Sequence, residues 1–442
     1  MKNFTIEESF TAICVEGTPG GLGVSPEIAH NRIRGCSFGI RVECRNTFAE
    51  AQEGNQPLIR YNRIEGSDNV VTTTTGISLV TNPGPSGKDS SPLLTTVKSN
   101  RLSGFGTGLE IREGDAQTVT STHCNWISRC ETGVRIQGRM PVVQLSNETI
   151  ADGAAFSGAS PVQGIEISTQ FEASVQIRNT ILSLGSTAID LRVLAGPTTP
   201  HFVYSMSQDP ALAPVNGSTT NLNIAGVPSS VLFAPGGYQL AASSPAIGAG
   251  DDYPNFVDIL GNPIRTDNVG APRISDDGSA NTATSGIDMG ASEFTEVALQ
   301  ITRPDPNQGI IFASNEAPVW QDARIDSAQT VSARISSPMP VQGGYYCIIF
   351  GDFASETTYF QAPAPLNLLG YFLTNPVLTF SGPMQFAPAE GQYTISVNIP
   401  APANSAYDEL EIDWQAVCFR VDPVTGKLVG STTRSVRQEY NQ

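Results

Sequence analysis

The chain has 442 residues, a formal net charge of −17 at pH 7, and four lysines among its 25 basic residues. That balance disfavours nucleic acid and anionic membrane surfaces as partners, and no apolar run approaches the roughly 20 residues of a membrane span. With 15% charged and 39% hydrophobic residues, 42 glycines and 31 prolines, the composition excludes a disordered chain and points to turn-rich β structure.

Met1-Lys2-Asn3-Phe4 leads straight toward a strand without a hydrophobic signal core, so we expect the natural N-terminus to lie upstream. Residues 1–25 read as one or two incomplete rungs, with Thr11–Val15 the clearest strand and Gly17–Gly23 a loop. A phrase then recurs. Asn31-Arg32-Ile33 leads to Gly39-Ile40-Arg41-Val42, Asn62-Arg63-Ile64 to Gly76-Ile77-Ser78-Leu79, and Asn100-Arg101-Leu102 to Gly108-Leu109-Glu110-Ile111. Asn125-Trp126-Ile127 leads to Gly133-Val134-Arg135-Ile136, Asn147-Glu148-Thr149-Ile150 to Gly164-Ile165-Glu166-Ile167, and Asn179-Thr180-Ile181 to Ala188-Ile189-Asp190-Leu191. Successive asparagines lie 31, 38, 25, 22 and 32 residues apart. The shortest unit is too small for a strand-helix-strand crossover with its turns, while period-two alternation marks short, half-buried strands. The expected fold is all-β: parallel β-helix rungs, right-handed, over residues 1–195, their irregular C-terminal end and cap over 196–294, and an antiparallel β-sandwich over 295–442. Stacked rungs would align the asparagines into a side-chain ladder. The glycines fit a corner that needs an unusual dihedral or a close backbone approach.

Alternation places Arg41, Ser78, Glu110, Arg135, Glu166 and Asp190 in one outward column, with Glu43, Val80, Arg112, Gln137, Ser168 and Arg192 beside it. Carboxylates among arginines on such a face suit sugar hydrolysis or anion-stabilised lyase chemistry. The competing reading is an alternating-sign ladder that supports the sheet, because an arginine between two glutamates neutralises them instead of tuning them. We therefore expect no catalytic residue and no metal ligand, and take Glu110, Arg112, Arg135, Glu166 and Asp190 as candidate carbohydrate contacts. Neither the Asp pair with Gly-His-Gly of polygalacturonase-like enzymes nor the Asp-Pro-His-Asp of alginate epimerase-like ones occurs. His30 and His123 fall at strand ends, where turn packing is their expected role. His201 has no evident partner, and no Ser/His/Asp nucleophile arrangement emerges.

None of the seven cysteines forms a C-x-x-C, which removes zinc and thioredoxin-like readings. Cys36 and Cys130 occupy equivalent rung positions, three residues before Gly39 and Gly133, and are expected as packed free thiols. Cys347 and Cys418, on the apolar strands Tyr345–Phe350 and Ala416–Phe419, are the candidate pair for an inter-sheet disulfide, with free thiols as the alternative.

After residue 195 the phrase fades into proline-rich text, with Asp209-Pro210-Ala211-Leu212 and Tyr238-Gln239-Leu240, and three other strings follow. They are Ser244-Pro245-Ala246-Ile247-Gly248-Ala249-Gly250-Asp251, Asp258-Ile259-Leu260-Gly261-Asn262-Pro263-Ile264-Arg265, and Gly286-Ile287-Asp288-Met289-Gly290-Ala291-Ser292-Glu293. Over about residues 26–294 the chain resembles bacterial secreted right-handed parallel β-helix repeat proteins, whose corresponding strings read roughly S-P-A-I-D-A-G, D-x-D-G-N-P-R and D-I-G-A-Y-E. Gly248 and Ser292 depart from that pattern. The resemblance implies an extracellular or cell-surface location, and most members of that family have no assigned reaction. From about 310, short β-runs with turn signals argue the sandwich. The ending, with Trp414-Gln415-Ala416-Val417 and Gly430-Ser431-Thr432, resembles C-terminal β-domains of planctomycete- and myxobacterium-type surface proteins.

Asp251, Asp252, Asp258, Asp276, Asp277 and Asp288 offer oxygen ligands of the kind Ca²⁺ takes, though at no calcium-motif spacing, so solvated turns are the expected role. Asn3, Asn147 and Asn216 fit glycosylation triplets. The expected function is structural or adhesive at the cell surface, without catalysis. The alternatives are a polysaccharide lyase or glycosidase, or a non-catalytic carbohydrate binder. Because an open first rung would leave Ile13 and Val15 wet, we also expect upstream sequence or a second copy, in a filament, to cover it.

Overall fold

The computed structural model describes residues 1–2, 4–17, 25–45, 56–66, 74–82, 93–114, 118–154, 162–185, 188–209, 212, 221–234, 239–241, 243–251, 259–260, 264 and 287–292, and beyond them a set of strands between 298 and 441. The chain divides into two units, the first comprising 1–229, 249–264 and 289–292. That unit is all-β and parallel β-helix-like. Each coil visits three parallel sheets in turn. The first sheet has nine short strands, from Thr5–Glu7 through Arg32–Arg34, Arg63–Glu65 and Arg101–Ser103 to Leu222–Asn223. The second has seven longer ones, from Thr11–Gly17 to Ile189–Ala195, and the third has seven, from Glu27–Ala29 to His201–Val203. Parallel pairing continues past residue 195 through His201–Val203, Met206–Ser207 and Leu222–Asn223, so the regular coil outruns the boundary expected from the fading phrase. Proline-rich text hid these strands because they are only two or three residues long.

In-register stacking makes the core. Ile33, Ile64, Leu102, Ile127, Ile150 and Leu182 follow one another up the first sheet, all buried. Each such side chain contributes about 1.5–3 kcal/mol by leaving water. Cys36 and Cys130 belong to this core as free thiols, as their rung positions imply. The glycines mark close approach. A Cβ on Gly108 would lie 2.7 Å from the carbonyl oxygen of Gly133, and one on Gly133 would lie 2.6 Å from that of Gly164. Any larger residue there would have to spread adjacent coils.

The sharp corner between the third and first sheets carries the polar ladder. Asn62 Nδ2 donates to Asn100 Oδ1 at 2.9 Å, Asn100 Nδ2 to Asn125 Oδ1 at 3.1 Å, and the backbone N–H of each donates to the same oxygen. Beyond Asn125 the column differs from expectation. Its next members are Glu148, Thr180, Ser205 and Asn221, not Asn147 and Asn179. Asn147 and Asn179 instead sit one residue earlier, at φ 55° and 51°, in a column with His30, Tyr61, Ser99 and Cys124. Asparagine tolerates the left-handed region, so it suits either position and the sequence phrase slips by one.

Asp251 and Met289–Ser292, the ends of two of the recognised strings, belong to this unit and fold back onto its coils. The Gly290 N–H donates to Asn179 O at 2.6 Å and the Ala291 N–H to Thr149 Oγ1 at 2.8 Å. The Asp251 N–H donates to Asn179 Oδ1, and its carboxylate lies 3.3 Å from Arg178 Nη1. Gly290, at φ 94°, leaves no room for a Cβ, which would meet Ile181 Cδ1 at 2.7 Å. At the amino-terminal end, Ala29 N donates to Met1 O and Phe4 N donates to Asn31 Oδ1. Ile13 is 5% exposed and Val15 half-buried, so the wetting expected for Ile13 in the first rung is not found.

The second unit holds 230–248, 265–288 and 293–442. Its described strands form antiparallel sheets of three and two strands and a six-stranded sheet, in which Leu428–Thr432 pairs with Leu410–Val421 off the main strand order. One pairing in the six-stranded sheet, Gln321–Arg324 with Val436–Asn441, is parallel. Within that sheet Cys347 and Cys418 are register partners on neighbouring strands. Cys418 is disulfide-bonded. The expected inter-sheet geometry for this pair is therefore corrected, because both residues belong to one sheet.

Candidate functional site

The outward face of the second sheet is the site expected from the sequence, and parallel register decides which of its residues meet. Ser78, Glu110, Arg135 and Glu166 succeed one another as Cα partners. Arg112 lies in the adjoining column, paired with Val80 and Gln137. The partner of Glu166 on the next coil is Arg192, not Asp190. Asp190 stands instead above Gly164, in the glycine column. It is buried, its carboxylate accepting from Ser207 Oγ at 2.5 Å, Gln208 N at 2.6 Å and Asp209 N at 3.1 Å. Asp190 is thus a turn anchor for the following rung and is withdrawn as a carbohydrate contact. The alignment of Ala188 with the glycines produced the two-residue error.

The carboxylates of the column are engaged. Arg135 Nε donates to Glu166 Oε1 at 2.9 Å, and its Nη2 to Thr132 Oγ1 at 3.3 Å. The Gln163 amide, in the orientation that satisfies both contacts, donates to Glu166 Oε2 at 2.5 Å and accepts from Arg192 Nη1 at 2.9 Å. Glu110 accepts from Ser78 Oγ at 2.8 Å. Arg41 reaches Glu43 at 3.2 Å. Such a face alternates charge along the ladder, with Glu166 hydrogen-bonded to Arg135 and Gln163 and Arg192 to Gln163.

Among the described residues three carboxyls are raised by burial that the sequence did not foretell. Glu148 occupies the ladder. Burial pushes its carboxyl up to about 8, against hydrogen bonds from Thr122 and Asn125 that favour the ionised form. Burial likewise raises Asp190, opposed by Ser207 and the backbone of Asp209 and Gln208. Glu113 is also raised by burial, while its oxygens accept from Met140 N at 2.5 Å and Thr118 N at 3.3 Å and pin the corner between the second and third sheets. The signal for Glu148 was present: from Asn31 to Thr180 the ladder residues precede an inward apolar residue by two positions, as in Asn125-x-Ile127 and Glu148-x-Ile150.

The remaining candidates disperse. His30 stacks on Tyr61 with ring centroids 5.1 Å apart, consistent with its expected place in a turn. His123 is buried at the end of its strand, and His201 is exposed. Burial drives the Cys130 thiol up to about 12, far from a reactive thiolate. Asp251 is held by Arg178, Asp288 accepts from Gly248 N at 2.7 Å, and Asp252, Asp258, Asp276 and Asp277 lie outside the described residues. No group of three or more metal-ligating side chains occurs among the described residues. Asn147 is fully buried, which removes it as a glycan acceptor. Asn3 and Asn216 lie outside the described residues.

Fold and face together define an all-β protein with a parallel β-helix-like coil whose candidate face is charge-paired. No protein-family model matches the chain, and no curated protein does. Among solved structures, the enzymatically active domain of bacteriophage CBA120 tailspike protein 4 aligns over 92% of this chain and 64% of its own at 10% identity and TM-score 0.10, a likeness too slight to bear on function.

Proposed function

We propose that the chain is a non-catalytic structural or adhesive protein of the extracellular surface, built as a right-handed parallel β-helix followed by an antiparallel β-sandwich. The observation that supports this best is the engagement of Glu110 by Ser78 and of Glu166 by Arg135 and by Gln163, whose amide oxygen in turn accepts from Arg192; this leaves the face without the separated acid and base that glycoside hydrolysis requires. The disulfide at Cys418 favours an oxidising compartment. The carboxy-terminal strings Ser244–Asp251 and Gly286–Glu293, shared in outline with secreted β-helix proteins, point the same way.

Incubation of the full chain with polyuronates and with neutral glycans tests the reading. We expect neither unsaturated products nor new reducing ends. Turnover of any of these glycans that disappears in Glu166→Gln would replace it with a lyase or glycosidase working from the second sheet.

A further inference from the structure

The third sheet buries polar groups on the face that alternation turns outward. Val97, Val143, Leu145, Val175 and Ile177 belong to the core, so Ser121, His123, Gln144 and Ser146, on the opposite parity, point away from it. These four are nonetheless between 0% and 5% exposed. Farther up the Ser121–Gln144 column stand Gln176 and His201, and both are exposed. The burial is therefore local to the strands Thr118–His123 and Val142–Ser146. The returning chain of the same unit touches both sides of this patch. Asp251 meets Arg178, the register partner of Ser146, and Ile264 clusters with Cys124, the neighbour of His123.

Among the described residues, Ser121 Oγ, Gln144 Oε1 and Ser146 Oγ find no hydrogen-bond partner. Ser121 and Gln144 are register partners, and Ser146 stands on the same face two residues after Gln144. A buried polar group that gives up water without a replacement is costly and rare, so three such oxygens in one patch call for a shared partner. Chemistry narrows its class. A cation would suit the oxygens, but Lys98 and Arg178 stand in the adjoining column, on either side of His123 and Ser146. An anion would suit the two hydroxyls, but it has no hydrogen to give Gln144 Oε1. A small neutral molecule that both donates and accepts serves all three. We propose that Ser121, Gln144 and Ser146 hold ordered water, which bridges the strands Thr118–His123 and Val142–Ser146 on the outer face of the third sheet. Register partners stand about 4.8 Å apart, a gap that one water spans with two bonds of about 2.8 Å. This site is separate from the second-sheet face, so it stands or falls independently of whether the protein is an enzyme.

A high-resolution crystal structure of the full chain tests the site directly. Water density within hydrogen-bond distance of both Ser121 Oγ and Gln144 Oε1 is expected. A side chain of the protein on those oxygens, an ion between them, or no density there would each overturn the proposal. In solution, a double-mutant cycle read by urea unfolding tests the bridge. Ser121→Ala and Gln144→Leu should each lower the urea midpoint, because each takes an anchor from the water and leaves the other oxygen worse served. The double variant should lose less than the two single losses added together, since both act on one bridge. Dry, unpartnered oxygens would give the opposite result, because replacing them with apolar groups removes a burden. A midpoint unchanged or raised in either single variant, or strictly additive losses, would therefore overturn the proposal. Should Gln144→Leu fail to fold, Ser121→Ala and Ser146→Ala complete the same cycle and are judged by the same criteria.

Discussion

Asn100→Ala is expected to lower the stability of the coil by about 2–6 kcal/mol. Its oxygen accepts from Asn62 N and Asn62 Nδ2, and its amide nitrogen donates to Ile59 O, Lys98 O and Asn125 Oδ1. Truncation leaves at least the Asn62 N–H and the Ile59 carbonyl without a partner in a dry corner, at about 1–3 kcal/mol each. Asn31→Ala should cost less. Asn31 stands at the end of the ladder: its oxygen accepts from Phe4 N, its amide donates to Asn62 Oδ1 at 2.9 Å and to Met1 O at 3.3 Å, and truncation orphans groups of the exposed residues Met1 and Phe4, which water can serve. Urea unfolding followed by circular dichroism separates the two. Equal losses at Asn31 and Asn100 would mean the side chains pack as shapes and not as a cooperative hydrogen-bonded column.

The second large effect is a pH dependence carried by Glu148. In the unfolded chain this carboxyl titrates near the ordinary glutamate value of about 4.3, whereas in the fold it titrates near 8 because burial disfavours its charge. Between those limits the folded state holds more protons than the unfolded one. Stability from this group is therefore full below the unfolded value and declines as pH rises toward the folded one, by at most about 1.4 kcal/mol per pH unit. Glu148→Gln keeps an acceptor for Asn125 and Thr122 without an ionisable group. The variant should show a flatter profile between pH 5 and pH 8 and exceed the parent in stability at pH 8. Parallel profiles for the two proteins would place the titrating group elsewhere.

Much of the coil was legible because its repeat follows backbone geometry. The glycines at 39, 76, 108, 133 and 164 recur since a neighbouring carbonyl occupies the Cβ position, and the alternating apolar residues mark the interior. The ladder was legible as far as Asn125. It then slipped because the corner has two adjacent positions that both accept asparagine, one for its left-handed φ and one for its amide. Glu148 and Thr180 satisfy the ladder by hydrogen-bonding capacity, so residue identity does not trace it there, and only their place two residues before the inward Ile150 and Leu182 does. The second-sheet column was legible through Glu166 and failed at Asp190, where no described second-sheet strand stacks beyond and a side chain can replace the glycine. The covering role of Met289–Ser292 was not legible, since contacts spanning 142 residues leave no local pattern.

The charge-paired face rests on the register of the second sheet, and engineered cross-links measure that register directly. Glu166→Cys combined with Arg192→Cys places thiols on register partners about 4.8 Å apart, inside the Cα range of roughly 4.4–6.8 Å that a disulfide spans. Glu166→Cys combined with Asp190→Cys offsets them by two residues, beyond the about 7 Å limit. Non-reducing peptide mapping after mild oxidation should find the 166–192 bridge in the first protein and no 166–190 bridge in the second. A 166–190 bridge without a 166–192 bridge would contradict the register, and with it the assignment of Asp190 to the turn and of Arg192 to the face.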